Sequence, residues 1–387
     1  MSDRILVGTR KGAFIVERRR QGWQPRLAGH GGMGVNFLAR DPKTGVLWAA
    51  LGHGHWGAKL SHSADDGRTW ADAAQVKYPP GARYLGHPLP EEGAEDMGPT
   101  TLKPATLLKL WVMAFGGDGR IYVGTIPGGL FISEDGGKSF ALNLPLWNHE
   151  SRGGDLFHGE GGGETQWFGT PASEGGEFAP GIHSILVDPR DPQRVLVAVS
   201  TAGVLETTDG GKTWRSRNKG MTMDYQPDPD AEWGHDPHAI ELCPGDPDHI
   251  WQQNHCGVFY TSDSAATWQK VSHPHQGVHF GFPVAVDESD GRTAWLVPGK
   301  ADMERMAIDG ALFVARTQDG GASWEALRNG LPQQEAYDVV LRHALGNSGD
   351  RLAFGSTTGN LYVSEDRGES WQTVANNLPP VYSVRFA

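Results

Sequence analysis

Apolar residues along this chain come in short bursts, cut by glycine, proline and acidic residues. RVLVAVS (Arg194 to Ser200), RIYVGT (Arg120 to Thr125) and DRLAFGS (Asp350 to Ser356) are examples. No stretch keeps apolar positions at a helical period, so the pattern predicts many short strands joined by turns. Glycine and proline, 54 and 25 of 387 residues, supply the punctuation.

The strongest recurring pattern is TTDGGKTW, Thr207 to Trp214. Near-copies begin at Ser63 (SADDGRTW), Ser133 (SEDGGKSF), Thr317 (TQDGGASW) and Ser364 (SEDRGESW), and a worn copy at Thr261 (TSDSAATW) has Ala265 in place of the Gly. Each follows an apolar strand and precedes a short one, which makes it a hairpin turn. Asp suits such a turn because it bonds the backbone amides around it, Gly because it accepts positive φ. The closing aromatic offers a large apolar side chain to the core. Six such turns in one chain mean structural repeats.

Extending the unit backwards gives four strands, A to D. IHSILVDPRDP, RVLVAVSTAG, VLETTDGGKTW and RSR form blade 4, and PHAIELCPGDPDHIWQQNHCGVFYTSDSAATWQKV aligns with it as blade 5. The whole chain then reads as a single all-β domain, a seven-bladed β-propeller. Its blades are expected at about 4–27 completed by 380–387, then 35–74, 109–143, 181–217, 237–272, 280–328 and 336–375. VYSVRF at the C-terminus supplies the missing A strand of the first blade, closing the ring and removing two open sheet edges. Insertions at about 71–104, 142–180 and 215–236 fall on D–A connections, over one face.

Composition narrows the partners. A formal net charge of −12 argues against nucleic acid, whose phosphates need a basic surface. No apolar run is long enough to span a bilayer, and MSDRILVGTR enters a strand at once, without a signal-peptide layout. Two cysteines, Cys243 and Cys256, do not make a disulfide framework, so a cytoplasmic location is expected.

The Asp-containing turns resemble the Asp-box of BNR-like, sialidase-like propellers. The unit VDPRDPQRVLVAVSTAGVLETTDGGKTW is similar to blades of tandem-propeller xyloglucanases, sortilin-type receptors and photosystem-assembly propellers. The resemblance implies architecture rather than chemistry. It departs from true sialidases, which carry an early Phe/Tyr-Arg-Ile-Pro motif and three substrate-clamping arginines. Sialidase activity is therefore not expected.

In such a propeller the C–D turns lie on the bottom face, and a site belongs at the top axial mouth. Aligning the blades puts Asn36, His183, His238, Phe282, Tyr337 and Tyr382 at the start of strand A, and Thr9, Leu51, Thr125, Ser200, His255, Pro298 and Ser356 at the end of strand B. His183, His238 and His255 are thereby expected at one depth, as ligands of a divalent transition metal such as Zn²⁺ or as acid–base groups. His53, His55, Asn254, Tyr337 and Tyr382 are expected to contact substrate, with Arg10 and Lys300 recognising an anionic group. Arg342 and Arg385 are expected near the bottom ends of their strands, and Lys11, Arg305 and Arg152 are further cations for the mouth. His158, His235 and His279 sit on nearby loops. Asp155, Glu160, Glu164, Glu232 and Asp236 are loop acids, of which Glu160 and Glu164 are the candidate catalytic pair.

The reading that follows is an enzyme, a hydrolase or lyase acting on a small polar or sugar-like molecule, assisted by metal. A scaffold for protein partners and a metal-free glycoside hydrolase using loop carboxylates are the alternatives. The sequence sets no oligomeric state.

Overall fold

The computed structural model describes residues 1–55, 57–86, 101–155, 165–167, 170–171 and 178–387. Seven four-stranded antiparallel sheets are arranged as blades. Six run outward in chain order; in the first, Val381–Phe386 lies innermost, followed outward by Arg4–Thr9, Gly12–Arg19 and Gly22–Gly29. The ring closes as expected, with Val7 opposite Val384 and Gly8 opposite Ser383.

Burial follows position in the blade. The second strand of blade 4, Val195–Val199, is buried along its whole length, covered on both faces by neighbouring blades. That explains its unbroken VLVAV, where a sheet with one wet face would alternate. The outermost strands of blades 2 to 5 are two residues long, which leaves little open edge for pairing with another chain.

The repeated turns are built alike. In blade 4, Thr207 Oγ1 accepts from the Gly211 amide at 2.9 Å and donates to Asp209 Oδ1 at 2.8 Å. Asp209 Oδ1 also accepts from the Lys212 and Thr213 amides, while its Oδ2 accepts from the Thr213 hydroxyl at 2.6 Å. The same bonds recur around Asp65 and Asp135. The closing Trp then ties its blade to the preceding one. Trp70 Nε1 donates to Ala28 O, Trp268 to Arg217 O and Trp324 to Val271 O, at 2.7 to 3.1 Å. In the worn turn Ser264 and Ala265 both adopt φ of 62°, so the fold is kept at the expense of strain.

One expectation needs correction. Blade 7 does not begin its inner strand at residue 336. The strand is Leu345–Ser348, and most of 336–344 is irregular, with Val339 and Val340 buried beneath it. The apolar run AYDVVLRHA resembles a strand because it is buried; its only bridge is the isolated pairing of His343 with Ser383. The insertions before blades 3 and 4 also hold small hairpins: Arg83–Gly86 with Thr101–Pro104, and Thr170–Pro171 with Phe178–Ala179. Among the described residues no helix is long and apolar enough to cross a membrane.

Candidate metal and substrate site at the channel mouth

Six of the seven inner strands carry a β-bulge near their start. The register skips Asn36, Trp111, His183, His238 and Tyr382, and in blade 6 Phe282 and Pro283 together oppose Val297. A bulge leaves a residue without a cross-strand partner and re-aims its side chain. Here the re-aimed side chains converge on the axis. His238 stacks on Phe282 with ring centroids 4.8 Å apart, Trp111 meets His183 edge-on at 5.4 Å, and Lys109 lies between the rings of Trp111 and Tyr382. Five of these six positions follow from aligning the blades; Trp111 does not, because blade 3 starts after a long insertion without a sequence landmark.

At this mouth Asp236, His238 and His255 bring one oxygen and two nitrogens within 4.8 Å of one another. Asp236 Oδ2 lies 3.4 Å from His238 Nε2 and 3.7 Å from His255 Nδ1. The strand Pro237–Cys243 carries His238, Asp236 immediately precedes it, and His255 follows Asp246–Asn254 in the same blade. The His255 amide donates to the Asp236 carbonyl at 2.9 Å, which locks the two segments together. Asp236 Oδ1 accepts from the Thr201 amide at 3.2 Å, turning Oδ2 toward the imidazoles.

Electrostatics prepare the cluster for a cation. Burial pushes the Asp236 carboxyl up, yet the His238 and His255 imidazoles beside it and the Arg342 charge outweigh that and hold it well below the usual carboxylate range. Burial lowers the His238 imidazole, and Asp236 offsets this only in part, so the ring is neutral at pH 7. Its Nδ1 lies 2.6 Å from the Gly281 carbonyl oxygen, which can only accept. The proton is therefore on Nδ1, and the Nε2 lone pair faces a carboxylate. Two electron-rich atoms at 3.4 Å are stabilised by a cation between them. An imidazole anchored by its other nitrogen on a carbonyl is the usual arrangement of a metal-ligating histidine.

His183 is close by but outside this triad, and Asp236 takes the place expected for it. Its Nδ1 contacts Ser184 Oγ at 3.2 Å, its Nε2 is buried without a partner, and burial holds the ring neutral. The Asp-x-His spacing of Asp236 and His238 carries the missed signal, since residues two apart on an extended chain share a side.

Other expected site residues serve elsewhere. Asn254 is buried, its Oδ1 accepting from the Cys256 amide at 2.9 Å and its Nδ2 donating to Gln252 Oε1 at 2.7 Å, so both ends shape the turn. Lys300 is exposed and pairs with Glu304. Tyr337 is 62% exposed on the irregular segment of blade 7. Arg10 and His55 are exposed turn residues; His53 ends the strand Leu47–His53, and its Nδ1 accepts from the His55 amide at 3.1 Å. His235 is buried against Ala231 O, and His279 is half-buried. Glu160, Glu164 and His158 lie outside the described residues.

The arginines are redistributed. Arg152 is buried, its guanidinium 3.8 Å from the centre of the Trp147 ring and 4.7 Å from that of Trp167, rather than facing the mouth. Arg342, expected near the bottom, instead stands over Trp111 at 5.2 Å and Phe282 at 5.1 Å, both bulged mouth residues. Arg385 lies over Phe37 and 3.6 Å from Glu241. The offset of blade 7 accounts for Arg342: its chain reaches the axis before pairing begins.

No family model matches the chain. It is 27% identical over 169 residues to a xyloglucanase of Paenibacillus sp, covering 38% of this chain and 16% of that protein. It is 25% identical over 222 residues to the xyloglucanase Xgh74A of Acetivibrio thermocellus, covering 50% of this chain and 24% of the relative. The chain thus spans about a quarter or less of the curated relatives it matches. Among solved structures, an ancestral GH74 enzyme superposes with a TM-score of 0.57 at 16% identity, over 92% of this chain and 40% of that one. The periplasmic gluconolactonase of Pseudomonas aeruginosa gives 0.56 at 12% identity, over 99% and 98%. These structural likenesses show the propeller fold.

Proposed function

We propose that the protein is an enzyme of the hydrolase or lyase class, acting on a small polar, carbohydrate-like molecule at the channel mouth with a divalent metal held by Asp236, His238 and His255. One observation carries this reading: two imidazoles and an ionised carboxylate converge within 4.8 Å, with His238 anchored through Nδ1. Two nitrogens and one oxygen suit a first-row divalent ion and leave coordination positions open. Such an ion supplies a polarised carbonyl or an activated water.

The chain's own groups supply the rest. Phe280 and Phe282 pack edge-on against each other and form an apolar wall beside the triad, Phe280 touching both imidazoles and Phe282 stacking on His238. Trp111 and Tyr382 add two aromatic rings to the mouth, with the Lys109 ammonium over both. The partial matches to proteins named xyloglucanases support a carbohydrate-like ligand. We read the repeated turns as Asp-boxes of the BNR-like group, supported by their Ser/Thr–Asp–Gly bonding. Cys243 and Cys256 are both free thiols, which supports a reducing compartment.

The test is metal content and affinity of protein purified without a histidine tag, beside Asp236→Asn and His238→Ala. Wild type should retain or rebind about one divalent ion per chain, and each variant should lose at least about 10-fold in affinity. Equal binding by all three, or none by wild type, would remove the metal from this reading.

A further inference from the structure

The guanidinium of Arg342 is bonded to no oxygen of the described residues. Other buried or half-buried arginines have oxygen acceptors: Arg194 binds Asp188 and Glu206, Arg316 binds Glu325 and Glu369, and Arg385 donates to His343 O beside Glu241. Even the stacked Arg152 donates to Gly128 O at 2.6 Å. Arg342 makes no hydrogen bond or ion pair with the described residues, and its Nε is buried without a partner. It stands over Trp111 and Phe282 instead.

Aromatic faces steady a guanidinium plane but leave its edge, where the N–H groups point, unsatisfied. A buried guanidinium nitrogen with an unmade hydrogen bond is costly. Its neighbourhood adds to the demand. Asp236 and Asp302 are near enough for their charges to be felt, yet neither makes a hydrogen bond or ion pair with it, and Arg305 adds a second positive charge. His183 presents a further buried nitrogen without a partner, against the Trp111 ring that Arg342 also overlies.

We infer that Arg342, with His183 beside it, is the anion-recognition half of the mouth, so that the molecule bound there carries a carboxylate or phosphate group alongside the oxygen that reaches Asp236, His238 and His255. This rests on the proposed reading of the triad. A planar fork of N–H donors matches the paired oxygens of either group, and a lysine does not reproduce it. The assignment moves anion recognition from the exposed, turn-borne Arg10 and Lys300 to a residue set between two aromatic rings.

The test uses D-glucuronate, glucose 6-phosphate and D-glucose as probes, titrated calorimetrically into wild type, Arg342→Met and Arg342→Lys. Affinity for Mn²⁺ or Zn²⁺ is measured in parallel, and circular dichroism checks the fold. At least one anionic sugar should bind wild type more tightly than glucose, and the preferred one identifies carboxylate or phosphate. Arg342→Met should weaken that binding about 10- to 100-fold, the loss of a charged hydrogen bond, and Arg342→Lys should recover only part. Anion binding absent from wild type, equal for glucose and its acid, or unchanged in a folded Arg342→Met would overturn the inference. Anion discrimination through Arg342 with no metal bound anywhere would sink the metal reading and leave this one standing.

Discussion

The Nδ1–H of His238, on the fifth blade, donates to the carbonyl oxygen of Gly281, on the sixth, at 2.6 Å. One bond thereby joins two blades and fixes the tautomer of a mouth imidazole. Long-range ¹H–¹⁵N correlation spectra of histidine-labelled, metal-free protein at roughly neutral pH should show Nδ1 protonated and Nε2 bare. Zn²⁺ should then shift the Nε2 resonance. Finding the proton on Nε2 in a neutral ring would show that the lone pair does not face Asp236.

The turn aspartates give a signature in acid. The hydroxyls and amides of Thr69, Ser139 and Ser323 hold Asp65, Asp135 and Asp319 down at about 2, and Asp209 lies lower still. A carboxyl whose folded pKa is depressed stabilises the fold above its unfolded value of about 4 and loses that contribution as pH falls through the folded value. The thermal midpoint should therefore drop between roughly pH 4 and pH 2. Asp65→Asn should lower it at neutral pH and flatten that drop. An unchanged slope would mean the turns do not drive acid unfolding.

Backbone strain makes a paired prediction. Ala265 sits at φ 62°, where the other turns place glycine, so Ala265→Gly should stabilise by about 0.5 to 1 kcal/mol. Gly137 sits at φ 86°, and a Cβ there would meet the Trp48 ring at 2.2 Å, so Gly137→Ala should cost at least about 2 kcal/mol. Gly136 at φ 73° has open space around it, and Gly136→Ala should cost only about 1 kcal/mol. Denaturation midpoints rank the three. A Gly137→Ala no worse than Gly136→Ala would dismiss the Trp48 contact.

Much of this architecture is written locally. The turns need a hydroxyl, an Asp and a positive-φ residue at fixed offsets, so TTDGGKTW declares itself, and from it the blades and the depth of His183, His238 and His255 follow. Blade 7 is misplaced because apolar content reports burial, and Val339 and Val340 are buried in irregular chain. Arg342 is misplaced with it. Asp236 reads as one more loop acid because its role depends on the Thr201 amide from the neighbouring blade, a partner 35 positions away that no local pattern encodes.

Arg152 separates packing from charge. Its guanidinium lies against Trp147 and Trp167, burial pushes it down to about 10, and one of its nitrogens has no partner. Arg152→Ala removes the filler and should cost about 3 kcal/mol, whereas Arg152→Met keeps most of the volume and sheds a buried charge, and should stay within about 1 kcal/mol of wild type. Thermal or urea midpoints decide it. Equal loss in both variants would show that the charge itself matters.

The bulges at Asn36, Trp111, His183, His238, Phe282 and Tyr382 have an evolutionary consequence. A residue without a cross-strand partner can be exchanged while every rung of the ladder around it stays in place. The ring therefore works as a keyboard, one key on each of six blades, on which specificity can be retyped a letter at a time while the fold carries on unedited.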